Sequence, residues 1–97
     1  MLELLSEEEI NLYNNEIPLW QQKDNSLVRE LSAPNFIAAV GMVNAIAIAA
    51  EKLDHHPDIL IYGWNKIRIT TTTHDKGGLT KLDFDLAKKI DEINFIF

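Results

Sequence analysis

The chain is 97 residues long, 46% hydrophobic and 25% charged, with a net charge of −6 and no cysteine. This length predicts one small domain covering residues 1–97, and the lack of cysteine excludes a disulfide framework or a thiolate nucleophile. An acidic chain without clustered Lys and Arg is a poor candidate for nucleic-acid binding. The acidic N-terminus is unlike a signal or transit peptide, so we expect a cytoplasmic location.

The first third of the chain predicts a short helix followed by a β-hairpin. Ser6 with Glu9 three residues later is a capping box that begins a helix ending near Asn14. Residues 18–22 look extended and residues 23–26 have turn chemistry. Alternation of apolar and polar residues over 27–31 predicts the second strand of the hairpin.

A long apolar helix is predicted next, with Pro34 in its first turn, where a missing N–H costs nothing. Apolar residues at spacings of three and four mark one face: Phe36, Val40, Val43, Ala47 and Ala50. The helix should end near Asp54, because Pro57 disfavours helical geometry before it.

The stretch 34–50 carries no charge and is nearly long enough to span a membrane, but it begins with proline and contains Gly and Asn. We therefore expect a buried helix and no membrane contact. A helix that is apolar on nearly all sides must be covered on nearly all sides. One four-stranded sheet cannot do this, so a second helix and a second subunit are expected against it.

The second half predicts two strands and a final helix. Residues 59–64 form an apolar run, with Gly63 allowing a turn near its end. Residues 66–74 alternate, with Ile67 and Ile69 on one side. The other side carries the polar residues Lys66, Arg68, Thr70, Thr72 and His74. Period two therefore predicts that His74 points away from the helices.

After a turn at residues 75–78, Thr80 is a plausible N-cap with Asp83 three residues on. The apolar stripe of the last helix is Leu82, Leu86, Ile90, Ile93 and Phe97. The order α-β-β-α-β-β-α with short connections predicts an α+β fold. It consists of a four-stranded antiparallel sheet with two long helices and one short helix packed on one face.

The chain has three histidines, at positions 55, 56 and 74. Imidazole titrates closest to neutral pH, so this grouping suggests a site for acid–base chemistry. Glu51 lies four residues before His55 and would share its helix face, where it could fix the imidazole tautomer. The alternative is a histidine that complements the helix dipole, and a solvated loop position for His56.

Other interpretations of these residues remain open. The histidine spacing is poor for a metal site, because there is no His-x-His on a strand and no helical pair four apart. The turn at Gly77 and Gly78 is far from a phosphate-binding loop. The threonine run 70–73 suits a strand, although its even members could reach a polar ligand. Trp20 and Trp64 could stack on a flat ring or belong to the core.

Four stretches of this sequence resemble the signature of the pterin-4a-carbinolamine dehydratases. They are residues 51–57 (EKLDHHP), 64–66 (WNK), 72–75 (TTHD) and 78–80 (GLT) followed by Asp83. The resemblance extends from about Trp20 into the last helix. The stretch between Pro57 and the WNK motif is one residue longer than in animal members, and Trp64 stands where tyrosine is common.

The resemblance implies the same α+β sheet-and-helix fold, assembled as a homodimer or homotetramer. It implies a dehydratase that removes water from a 4a-hydroxytetrahydropterin to give the quinonoid dihydropterin, recycling the cofactor of aromatic amino acid hydroxylases. It also implies a small pterin as substrate and no requirement for a metal or other cofactor.

The residue roles are likewise implied by the resemblance. His55 and His74 are expected to form the proton-transfer pair, and His56 to bind substrate and support catalysis. Substrate-binding roles fall to Glu51, Trp20, Thr72, Thr73 and Asp75. Supporting roles fall to Asp54, Pro57 and Asp83, the last of which would hold a histidine.

A different class of function remains open beside catalysis. Animal members of the family also bind a homeodomain transcription factor, so this fold can serve as a non-catalytic binding module or an assembly cofactor. Retention of all three histidines favours the enzyme, because a scaffold has no need of them together.

Overall fold

The computed structural model describes residues 2–95, and its elements confirm the predicted order α-β-β-α-β-β-α. Their bounds are α1 Glu7–Asn14, β1 Gln21–Lys23, β2 Ser26–Ser32, α2 Phe36–Leu53, β3 Asp58–Tyr62, β4 Lys66–Thr71, a 3-10 turn His74–Lys76 and α3 Lys81–Asp91.

The strands form one antiparallel sheet in the order β1-β2-β4-β3. Its inner face carries Leu27, Ile67 and Ile69, all fully buried, and they join the core with residues of α2 and α3. Side chains alternate across a strand, so their neighbours in sequence face solvent. The predicted fold class, an antiparallel four-stranded sheet with helices on one face, is confirmed.

The predictions for the N-terminal region are mostly confirmed. The capping box of α1 is present, because Ser6 Oγ accepts from the Glu9 amide and Glu9 accepts from the Ser6 amide. The extended segment is shorter than expected, since β1 begins only at residue 21. The Trp20 amide donates to the Ile17 carbonyl at 3.1 Å, and this turn lets both residues face the core.

Helix α2 begins two residues later than predicted. Asn35 is its N-cap, with the side-chain oxygen accepting from the Ala38 amide at 2.9 Å, so Pro34 precedes the helix and the prediction of Pro34 in its first turn was wrong. An asparagine oxygen satisfies one of the free amides of a first helical turn, which fixes the start. The end is confirmed, because Asp54 is the C-cap and has left-handed geometry (φ 51°).

The predicted buried face of α2 was wrong except at Ala50. The residues that pack on the sheet are Ala39, Met42, Ile46 and Ala50. Phe36 is 57% exposed, and Ile37 and Ile48 are 75% and 60% exposed on the outer side. The helix is apolar all round, so spacings of three and four fit several faces equally well. By length and composition alone, α2 is long and apolar enough to cross a membrane. One such helix is only weak evidence for a membrane span, because the core helix of a soluble protein can pass the same test.

Strand β4 ends at Thr71, so the alternation does not continue to His74 and the predicted orientation of that histidine on the strand was wrong. The chain instead bridges Thr73 to Gly78 and closes a 3-10 turn between them. Gly77 ends that turn at φ 73°, a left-handed geometry that favours glycine.

Helix α3 begins as predicted at Thr80, with Asp83 accepting from the Thr80 amide at 3.0 Å. Leu86 and Ile90 of the predicted stripe are buried, whereas Leu82 and Ile93 are only half-buried. Phe97 lies outside the described residues. The helix buries Phe84 and Ala87 in addition, together with the carboxylate of Asp83.

Candidate functional site

The three histidines line one shallow cavity of about 210 Å³. Its lining comes from two segments: Asp54, His55 and His56 after α2, and Thr72, Thr73, His74 and Asp75 after β4. The antiparallel register explains the meeting, because Asp58 at the start of β3 pairs with Thr70 near the end of β4. Residues just before β3 therefore lie beside residues just after β4.

His55 is buried and is held by a buried carboxylate. Its Nε2 lies 2.6 Å from Oδ1 of Asp83, a residue that is fully buried at the first turn of α3. Within the described residues, three further donors reach this carboxylate. They are Thr71 Oγ1 at 2.7 Å, Thr73 Oγ1 at 2.8 Å and the Thr80 amide at 3.0 Å.

These contacts fix the tautomer of His55. An ionised carboxylate only accepts hydrogen bonds, so Nε2 of His55 carries a proton and donates it to Asp83. The other ring nitrogen, Nδ1, is then the atom that can gain or lose a proton.

His56 has a different partner and a different environment. Its Nε2 lies 2.5 Å from Oε1 of Glu51, and both side chains are mostly exposed. The expectation that Glu51 lies beside His55 was wrong. Asp54 has left-handed geometry and ends the helix, so helical spacing does not extend to the residues that follow.

His74 lies in the 3-10 turn and is exposed. No hydrogen-bonding partner for its imidazole occurs among residues 2–95. The cavity thus brings together one buried, fixed histidine and two accessible ones, an arrangement suited to proton transfer on a small ligand.

The remaining predicted site residues are placed as follows. Thr72 lines the cavity, but its hydroxyl donates to the Asn25 carbonyl at 2.6 Å and so ties the β1–β2 turn to this edge. Thr73 also lines it, with its hydroxyl directed to Asp83 instead of a ligand. Asp75 is exposed at the rim, and Pro57 is half-buried just outside the lining.

Trp20 is not part of this site. It is 7% exposed, belongs to the core, and donates from its indole nitrogen to Oδ1 of Asp91 at 2.8 Å. Asp91 also pairs with Arg29 at 2.5 Å, so the indole helps to complete a partly buried ion pair between the sheet and α3. The predicted stacking role of Trp20 is replaced by a structural one.

Sequence reasoning missed two residues near the site, Thr71 and Thr80, whose hydroxyls are fully buried. Period two could have revealed the first, because Thr71 falls on the same side of β4 as Ile67 and Ile69. A hydroxyl on an otherwise apolar inner face needs a polar partner.

A larger cavity, about 470 Å³, lies elsewhere, on the outer face of the sheet. There Tyr62 and Arg68 donate to the Glu30 carboxylate at 2.7 Å and 3.0 Å. Desolvation would raise the pKa of Glu30, but these two donors outweigh it and hold the pKa below 4.5. The hydrogen bond between Tyr62 and Glu30 raises the pKa of Tyr62 above 10.0. Volume alone does not make a site, and this cavity contains no histidine.

Metal-ligand geometry is a separate question. In the part of the chain that the structure describes, no three His, Asp or Glu side chains are grouped as metal ligands. The expectation that no metal or cofactor is needed stays a prediction.

Comparisons with known proteins give a consistent result. A profile of the family described as "Pterin 4 alpha carbinolamine dehydratase" matches residues 3–93. A protein of Picosynechococcus sp., provisionally named a pterin-4-alpha-carbinolamine dehydratase, is 44% identical over 89 residues, covering 92% of this chain and 96% of the relative.

Solved structures agree with these sequence matches. A Brucella melitensis protein titled "transcriptional coactivator/pterin dehydratase" is 34% identical with a TM-score of 0.82, over 90% of this chain and 94% of that one. A pterin dehydratase-like RuBisCO assembly factor of the alpha-carboxysome is 20% identical with a TM-score of 0.57, over 74% of this chain and 82% of that one. The second likeness concerns the fold alone.

Proposed function

This chain belongs to the pterin-4a-carbinolamine dehydratase family, and on that premise we propose that it is an active dehydratase. The proposed substrate is a 4a-hydroxytetrahydropterin, and the products are the quinonoid dihydropterin and water. The observation that carries the proposal is the meeting of all three histidines around one cavity, with one of them fixed by the buried Asp83.

The reaction requires two proton transfers. The 4a-hydroxyl must gain a proton to leave as water, and the neighbouring ring nitrogen must lose one. In our proposal Nδ1 of His55 accepts the proton from the ring nitrogen, because Nε2 is held by Asp83 and Nδ1 is left free. His74 donates a proton to the leaving hydroxyl. His56, paired with Glu51, binds the substrate at the rim.

Stopped-flow absorbance of 4a-hydroxytetrahydropterin decay, with and without protein, tests the activity. Replacing His55 or His74 by Ala should lower kcat by about 10²–10⁴-fold, the usual contribution of a positioned acid or base. His56→Ala should act mainly on KM. Gln21→Ala, an exposed amide on β1, is the control and should match the wild type. Decay at the uncatalysed rate with wild-type protein would refute the proposal.

We also propose a homo-oligomer formed through the outer face of α2, defined by Phe36, Ile37, Gly41 and Ile48. The three apolar side chains are more than half exposed, and no charge occurs from Phe36 to Ala50. A Cβ added at Gly41 would meet nothing within 4 Å, so packing within one chain does not require glycine there. Glycine in a helix interior costs about 1 kcal/mol relative to alanine, so its presence at position 41 needs a reason. Close approach of a helix from a second subunit would provide that reason.

Light scattering at micromolar concentration tests the assembly. The wild type should have the mass of a dimer or tetramer, and Ile37→Glu or Ile48→Glu should reduce it. Leu12→Glu, a similarly exposed leucine on α1, is the control and should leave the mass unchanged. A monomeric wild type would refute the assembly without touching the dehydratase proposal.

A binding module is the second candidate function, and the same uncovered face of α2 favours it. In that case a partner protein would bind the face, and its affinity would not change in His74→Ala. Loss of dehydratase activity with retained partner binding would separate the two functions. A cytoplasmic location, which the absence of cysteine suits, is part of the proposal.

A further inference from the structure

We propose that Thr71 and Thr73 are positioning residues that keep His55 in a single tautomer by acting through Asp83. The kinetic consequence of this inference rests on the proposed dehydratase function, whereas its structural consequence does not.

The hydroxyl of Thr71 lies where a strand would ordinarily bury a methyl group. Thr71 is fully buried on the inner face, on the same side of β4 as Ile67 and Ile69 and paired across the sheet with Leu27. Valine has nearly the same shape and an equal preference for strands, and a buried hydroxyl is unfavourable unless it is hydrogen-bonded. The bond to Asp83 at 2.7 Å is what the hydroxyl supplies.

The carboxylate of Asp83 is saturated by its donors. Two reach Oδ1, from His55 and Thr71, and two reach Oδ2, from Thr73 and the Thr80 amide. A carboxylate offers about four acceptor positions, so the described contacts fill it. With every position filled, the carboxylate has one orientation, and the plane of the imidazole is fixed with it.

The proton positions in this network follow from its fixed members. The Thr80 amide can only donate, and the Thr80 hydroxyl, 2.8 Å from Thr73 Oγ1, can donate to it while Thr73 donates to Asp83. The hydroxyl of Thr71 donates to the other carboxylate oxygen. His55 is left with the last position and must present Nε2–H, which leaves Nδ1 for proton transfer.

Removing one threonine hydroxyl should allow the Asp83 carboxylate and the His55 imidazole to move while the protein stays folded. In Thr71→Val, Oδ1 of Asp83 loses one of its two donors, so the carboxylate can rotate away from Nε2 of His55. While it is turned away, the imidazole can adopt its other tautomer. We expect kcat to fall about tenfold, a fraction of the usual general acid–base contribution, with KM changed less than about twofold. Thr71→Ser keeps the hydroxyl and should restore kcat.

Nitrogen-15 NMR of the histidine side chains reads the tautomer directly, in protein without substrate. The wild type should show His55 with the proton on Nε2, and Thr71→Val should show a mixture. The matched control is Thr70→Val, the same change one residue earlier. Thr70 lies on the outer side of the strand, and its hydroxyl has no partner within residues 2–95. That variant should match the wild type in tautomer and in kcat.

Thr73→Val tests the same carboxylate from its other oxygen and decides the question if Thr71→Val does not fold. The inference is overturned if the valine variants that fold keep a pure Nε2–H tautomer. It is also overturned if they lose no more kcat than Thr70→Val. The tautomer is measured without substrate. A protein that fails to dehydrate the pterin would therefore refute the proposed function, but the His55 tautomer could still be measured and would still test this inference.

Discussion

Replacing Asp83 by Asn removes a charge from the protein interior while keeping the shape of the side chain. The amide oxygen must take the place of Oδ2, because the Thr80 amide there can only donate. The amide nitrogen then takes the place of Oδ1 and faces Thr71 and His55. The threonine hydroxyl can rotate to accept, but His55 can accept only by moving its proton from Nε2 to Nδ1. Asp83→Asn should therefore invert the tautomer.

The expected size of the effect follows from these contacts. The nitrogen and oxygen atoms of this network each keep at least one partner after the rearrangement, so we expect a loss of the size of a charged hydrogen bond, about 1–3 kcal/mol. For a domain of this size each kcal/mol lowers Tm by about 4–8 °C. The catalytic loss should be larger, about 10²–10⁴-fold in kcat, because Nδ1 would no longer be free to accept a proton.

Three measurements decide this prediction: kcat by stopped flow, Tm by calorimetry and the His55 tautomer by nitrogen-15 NMR. Asp85→Asn is the matched control, since Asp85 is on the same helix and its ion pair among residues 2–95 is a 3.7 Å surface contact with Lys81. That variant should keep kcat and lose less than about 0.5 kcal/mol. If Asp83→Asn retained wild-type kcat and the Nε2–H tautomer, the inference that a carboxylate fixes His55 would be refuted.

Three other outcomes are expected. Glu51→Gln should raise KM by about threefold or less with little change in kcat, because its pair with His56 is exposed; steady-state kinetics checks this. Ile46→Ala should lower the free energy of unfolding by about 2–5 kcal/mol, measured by urea denaturation, since this side chain is fully buried between α2 and the sheet. Tyr62→Phe should raise the pKa of Glu30 toward 4.5, measurable by NMR titration. A depressed carboxyl pKa contributes stability that is present above the unfolded pKa and is lost as pH falls through the folded pKa. This variant should therefore be less stable than the wild type at neutral pH and should lose less stability on acidification, with Tyr13→Phe as the control.

The order of elements could be predicted because each boundary has a local chemical signal. Ser6 with Glu9 and Thr80 with Asp83 are capping boxes that mark two helix starts, and the structure has both. The left-handed C-cap at Asp54 lies where Pro57 required the helix to end. Such signals act within a few residues, so they can be recognised without knowledge of the tertiary structure.

What could not be predicted depends on contacts that are distant in sequence. The apolar pattern of α2 is compatible with several faces, and only packing on the sheet selects Ala39, Met42 and Ile46. Threonine favours strands, so the run 70–73 gave no indication that β4 ends at Thr71. Helical spacing pointed to Glu51 as the partner of His55, whereas the actual partner, Asp83, lies 28 residues away. Only the family resemblance indicated that Asp83 would hold a histidine.

Burial suggests why the histidines would divide the proposed chemistry as they do. His55 is 9% exposed, and its Nε2 is hydrogen-bonded to Asp83, so the position of its ring is fixed. His55 can exchange protons with solvent only through the cavity. His74 is exposed on a turn and can exchange protons with water directly. Both histidines must be reset after every turnover, because the base has gained a proton and the acid has lost one. In the proposed mechanism the fixed histidine, His55, is therefore the base, because its ring is held in one orientation toward the ring nitrogen. The exposed histidine, His74, is the acid.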